Sequence, residues 1–163
     1  MLGHMLSHIY LAPEAQLWMR SLQFRLRSQW SSSMHDTSLR IAWIPDNLTD
    51  LQWWTLKSNL LAGRDLRNVS PDFLLFTDAS IYGWGCSLLH YTVGGLWSKE
   101  ESTLHINILE LWAGRLALLQ FQHFLKDKTV GVFAEITTAL AFLLHQGGTH
   151  SSVLNNEAQW TLR

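Results

Sequence analysis

Three acidic residues stand where apolar runs give way to polar ones. Asp78 closes "FLLFTDAS", Glu110 sits in "HINILELWAG", and Glu135 ends "VGVFAE". An acid at the end of a buried strand lies at the carboxyl edge of its sheet, where open α/β sheets gather ligands. Glu110 falls one turn into a long helical pattern on an otherwise apolar stretch, and a buried glutamate needs a partner. Taken singly, each has an ordinary reading: turn chemistry for Asp78, a salt-bridged core acid for Glu110, and a dipole-favoured first-turn acid for Glu135. Taken together, the three can converge on one point from a strand end, a helix and a second strand end. Clustered carboxylates repel one another and are stable together mainly around a cation. Two magnesium (or manganese) ions about 3.5–4 Å apart would then clamp the attacking and leaving oxygens of a phosphodiester.

The elements that must position these acids follow from the hydrophobic period. "DFLLFTDAS", "YGWGCSLLHY" and "VGGLWS" read as three strands in series, a meander with a turn near Tyr91–Thr92. "INILELWAGRLALLQFQHFL" is the longest helical signal, "KTVGVFAE" returns to strand, and "ITTALAFLLHQ" is a helix stopped at Gly147–Gly148. "SSVLNNEAQWTLR" starts another helix with Ser151 or Ser152 as cap. The order is β-β-β-α-β-α-α, an α/β fold with a mixed sheet. Upstream, "PEAQLWMRSLQFRLRSQW" is helical with Pro13 at its start, and "IPDNLTDLQWWTLKSNLLAG" is a second helix capped by Asp46 or Asn47 and stopped by Gly63. A boundary near Ser70 divides a helical segment, 1–70, from an α/β domain, 71–163.

The totals narrow the function classes. The chain has 163 residues, 47% of them hydrophobic, enough for one domain with a real core and a helical extension. Its net charge of −1 gives no global basic signature, so a nucleic-acid partner must meet a local patch. The arginines and lysines of "RSLQFRLRSQW" and "LKSNLLAGRDLR" are candidates for such a patch, with a solvated helix face as the plainer reading. The single cysteine, Cys86, excludes an internal disulfide and a Cys-rich zinc module. It fits a reducing, intracellular compartment, cytoplasm or nucleus. Beside His90 it reads as a small core hydrophobe rather than a nucleophile. No apolar run is long enough to span a membrane, and "MLGHMLSHIY" has no basic n-region or cleavage site.

From about Asp72 onward the chain resembles the ribonuclease H domain of retroelement reverse transcriptases. The resemblance is closest to the DIRS-type retrotransposons that encode a tyrosine recombinase. It is carried by "LLFTDASIYGWGCSL", "GLWSKEESTLHINILELWAGRLAL" and "VGVFAEITTALAFLLHQGGTHSSVLN". "LGHMLSHIYLAP", "RSLQFRLRSQW" and "LQWWTLKSNLLAG" look like the connection that precedes this domain. The resemblance implies a two-metal endonuclease that cuts the RNA strand of an RNA/DNA hybrid, with a polymerase domain as partner in the parent element. It makes Asp78, Glu110 and Glu135 the catalytic, metal-holding acids. It places Ser80, His105, Asn107 and Thr137 against substrate, although Asn107 is equally a helix cap. Gly83 and Gly85 would let the second strand pass close to the site.

Two departures from the family pattern bear on activity. The third family acid is an aspartate followed by asparagine, where this chain has Glu135 and Ile136. The extra methylene moves the carboxylate by roughly 1.5 Å, and a misplacement of about 1 Å can cost about 100-fold. The family's fourth acid follows one further strand, which would lie beyond Arg163, so the sheet is expected to lack its last strand. A decayed or truncated element copy, or a fragment of a longer protein, is the expected origin. Cleavage is therefore expected to be weak or absent. The competing expectation is a non-catalytic remnant that binds nucleic acid or protein.

Overall fold

A computed structural model of the chain describes residues 2–12, 14–29, 40, 45–63, 70–135, 141, 143–148 and 151–162. Its centre is a mixed four-stranded sheet: β1 (Phe73–Ala79), β2 (Gly83–Leu88), β3 (Tyr91–Leu96) and β4 (Val130–Ala134). The strand order is β3-β2-β1-β4. The first three strands form an antiparallel meander, and β4 returns parallel to β1. A parallel return needs a crossover, and α5 (Ile106–Gln120) with α6 (Gln122–Leu125) supplies it.

β1 alternates strictly. Leu75 and Thr77 are buried, while Leu74, Phe76 and Asp78 are exposed. The buried row packs under the crossover helices, where Leu75, Cys86 and Leu88 meet Ala117, Phe121 and Leu125 in the main core. Fully burying each such leucine contributes about 1.5–3 kcal/mol. α5 buries Leu109, Leu111, Ala113 and Ala117 together with one acid, Glu110. On its other flank α5 meets α7 (Ser152–Leu162), with Arg115 Nη1 3.5 Å from Glu157 Oε2 and the Arg115 guanidinium over the Trp160 ring.

The N-terminal segment is helical: α1 (Leu2–His8), α2 (Arg20–Gln29), α3 (Pro45–Thr55) and α4 (Lys57–Leu61). Met5, Met19 and Leu22 form its own small core with Leu51 and Trp54. Arg20 ties this segment to the later chain. Its guanidinium is buried and donates to the carbonyls of His145 and Gln146, while the Leu17 N–H donates to Gln146 Oε1 at 3.0 Å. Arg20 therefore satisfies carbonyls rather than offering itself to phosphates.

Several boundaries differ from the sequence reading. The β2–β3 turn is Leu89–His90, closed by the Leu88–Tyr91 pair, with Leu89 at φ 56°. Tyr91 and Thr92 already belong to β3. The second helix breaks at Leu56, which is extended at ψ 113°. The long helix breaks at Phe121. Asn47 lies inside α3, buried, and donates to Ser21 Oγ at 2.9 Å instead of capping. Ser151 does cap α7, its Oγ accepting from the Leu154 N–H at 3.3 Å. Pro13, the residues 136–140 where the sequence reading places a helix start, and the side chains of Asp46 and Ser152 lie outside the described residues.

Candidate active site

The register of β1 against β4 sets the first two acids side by side. Phe76 pairs with Phe133 and Thr77 with Ala134 in a parallel ladder. Phe76 and Phe133 point out of the same face, stacked 5.0 Å apart and both exposed. Two residues on stand Asp78, within β1, and Glu135, one residue past the end of β4, and both are exposed. The carboxyl ends of adjacent parallel strands thus carry one acid each.

Glu110 comes from the opposite side. It sits in the second turn of α5 on the helix's sheet-facing flank and is 3% exposed. Its Oε1 accepts a hydrogen bond from the Ala79 N–H at 3.2 Å, at the last residue of β1. Its Oε2 is buried and finds no hydrogen-bond partner among the described residues. Burial pushes the Glu110 carboxyl above its ordinary range, the Ala79 N–H pulls it back, and the charges of Asp78 and Glu135 push it up again. Glu110 therefore lies within electrostatic reach of both Asp78 and Glu135. Among the described residues no group of three or more His, Cys, Asp or Glu side chains is spaced to hold a metal ion. The two-sided approach accounts for both facts: Glu110 reaches the strand end from the helix layer, and the other two from the outer face.

The supporting residues behave as follows. Ser80 Oγ accepts from the N–H groups of Tyr82 and Gly83, at 3.2 and 3.3 Å, so it shapes the β1–β2 turn directly beside Asp78. The Ser80 carbonyl accepts from Trp97 Nε1 at 2.9 Å, which pins the chain leaving β3 to the same corner. His105 is the N-cap of α5, its Nδ1 accepting from the Asn107 N–H at 3.2 Å. The cap is thus His105 rather than Asn107, whose side chain is half-buried in the first turn. Both residues lie on the turn that leads to Glu110. Thr137 and Ile136 lie outside the described residues.

Sequence reasoning missed the partner of Glu110, because a backbone N–H carries no residue-type signal. It also missed an open groove of about 560 Å³ beside Asp78, floored by glycines of β2 and β3. The facing "GWG" and "VGG" runs were the available signal. The donors at this corner are all oxygens: two exposed acids and one buried acid whose Oε2 has no partner among the described residues. No protein-family model matches the chain, and no curated relative matches it. Among the described residues no helix is long and apolar enough to cross a membrane.

Proposed function

We propose that this α/β chain is a ribonuclease H-like domain of a DIRS-type reverse transcriptase. In that reading its acids serve metal-assisted hydrolysis of the RNA strand in an RNA/DNA hybrid, with cleavage weakened or lost in this chain. One observation carries the reading: a glutamate buried in the helix layer keeps an oxygen with no partner among the described residues, at the strand end near two other acids. A structural acid in that place would have a cationic partner. Here the neighbours are acidic, which favours a cation from solution.

Asp78, Glu110 and Glu135 would hold the ions, magnesium or manganese. When bound, such ions supply charge stabilisation at the phosphate and a more acidic water. The chain's own residues do the rest. The Ala79 N–H holds one Glu110 oxygen in place and leaves the other free. The His105 cap fixes the start of α5 and hence the height of Glu110. Ser80 holds the turn that presents Asp78. The hybrid is recognised by shape and by its 2′-hydroxyls. Glu135 in place of aspartate, followed by Ile136, is the reason for expecting weak turnover.

A second reading, a non-catalytic binding module, draws on the outer sheet face. Leu74, Phe76 and Phe133 are each about half exposed there, a patch suited to a protein partner. Cleavage of a labelled hybrid in magnesium and then manganese, with Asp78→Asn as control, separates the two. Cleavage lost in the control supports the hydrolase. A folded chain with neither cleavage nor metal binding supports the module.

A further inference from the structure

The groove beside Asp78 contains a glycine that the fold does not require. β2 and β3 carry Gly83, Gly85, Gly94 and Gly95. A Cβ on Gly83 would collide with the Gly95 carbonyl oxygen, and one on Gly94 would lie 2.6 Å from the Trp84 carbonyl oxygen. Those two positions are glycine because the strands approach closely. Gly85 is different. A Cβ there would meet nothing nearer than the Val93 carbonyl oxygen at 4.0 Å, and its φ is not positive. A glycine inside a strand costs about 0.5–1 kcal/mol relative to alanine. Gly85 thus sacrifices stability without a structural return.

Its place explains why. Gly85 pairs directly with Asp78 and with Gly94, so the three form one row across the sheet. A side chain at 85 would stand opposite Asp78 with its Cβ about 4.5–5.5 Å away. The groove over this row is walled by Tyr82 and Leu96, 75% and 86% exposed. Its acid end is not empty chemistry: Ala79, which lines it, holds the carboxylate of the buried Glu110, whose second oxygen is unpartnered. Among the described residues that line the groove, none is Lys or Arg.

We infer that Gly85 is an access residue, kept bare so that the uncharged sugar-and-base side of a nucleic-acid strand can lie in the groove while its phosphate reaches the acids. This rests on the hydrolase reading proposed above. The chemistry of the walls sets the ligand class. A floor of peptide groups and an exposed tyrosine accept ribose and base faces, and the described lining offers no cation to seat a phosphate.

Gly85→Ala and Gly85→Val in the full chain test this. Both variants should melt at or above the temperature of the unmutated protein and bind Mn2+ equally well. Hybrid affinity, measured in calcium to suppress cleavage, should fall about tenfold or more for Gly85→Val, as expected for losing one stacked unit. The fold-loss should be equal at about 50 and about 200 mM salt, because no phosphate contact is removed. Unchanged hybrid affinity in Gly85→Val overturns the inference and leaves the acids' role standing. A loss that shrinks with salt also overturns it. An unmutated chain that binds Mn2+ but no hybrid overturns the substrate reading, and the inference with it.

Discussion

Glu110→Gln should stabilise the metal-free protein at neutral pH. Glutamine has the same shape as glutamate, and its Oε1 can still accept from the Ala79 N–H that now bonds Glu110. Its amide nitrogen replaces the oxygen that is buried without a partner. The charge that Asp78 and Glu135 repel disappears. The amide nitrogen is no better partnered there, so the gain is the difference between burying a charged and a neutral group, about 1–3 kcal/mol. At about 2–4 °C per kcal/mol for a chain of this size, the melting temperature should rise by about 2–12 °C. The pH dependence carries an independent sign. The folded-state Glu110 carboxyl is raised, so the folded protein holds that proton to higher pH than the unfolded chain does. The unmutated protein then loses stability as pH climbs from the ordinary glutamate value toward the raised one. The gap between variant and unmutated protein should be small below the ordinary glutamate range and widen as pH rises above it. Melts followed by circular dichroism with chelator present measure both effects. A variant that melts lower at neutral pH, or a gap that does not open with pH, would refute the reasoning about Glu110.

Two further substitutions test the scaffold. Gly83→Ala forces a Cβ into the Gly95 carbonyl and should cost about 1–3 kcal/mol in urea unfolding; equal stability would show that β3 does not approach β2 as closely as described. Arg20→Ala removes a buried cation from the His145 and Gln146 carbonyls and should cost about 1.5–3 kcal/mol. An unchanged unfolding midpoint would mean that the N-terminal helices do not dock on that loop.

The parts of this fold that could be read from sequence were those with a strong local period. β1 is a short apolar run that turns polar, and the α5 pattern is long and apolar, so both elements, and the places of Asp78 and Glu110 on them, could be read. The breaks were not readable. Leu56 and Phe121 are neither glycine nor proline, and each interrupts a helix that its own propensity would continue. The turn at Leu89–His90 was misplaced because a leucine at φ 56° is uncommon. For the site, the residue types of Asp78, Glu110 and Glu135 and their approach from two strand ends and a helix were readable, but their detailed geometry was not. That geometry depends on the parallel register of β1 and β4 and on one backbone hydrogen bond, both set by tertiary packing. The helix cap moved from Asn107 to His105 for a similar reason: histidine is not a preferred cap, yet its Nδ1 reaches the Asn107 N–H.

The central claim is that Asp78, Glu110 and Glu135 together form a cation site. Titration of the folded chain with Mn2+, followed by electron paramagnetic resonance, tests it most directly. The unmutated protein should take up Mn2+, and Asp78→Asn and Glu110→Gln should each bind at least about tenfold more weakly, as loss of a ligating or supporting acid implies. Binding that is equal in all three proteins, or absent from the folded unmutated chain, would contradict the claim.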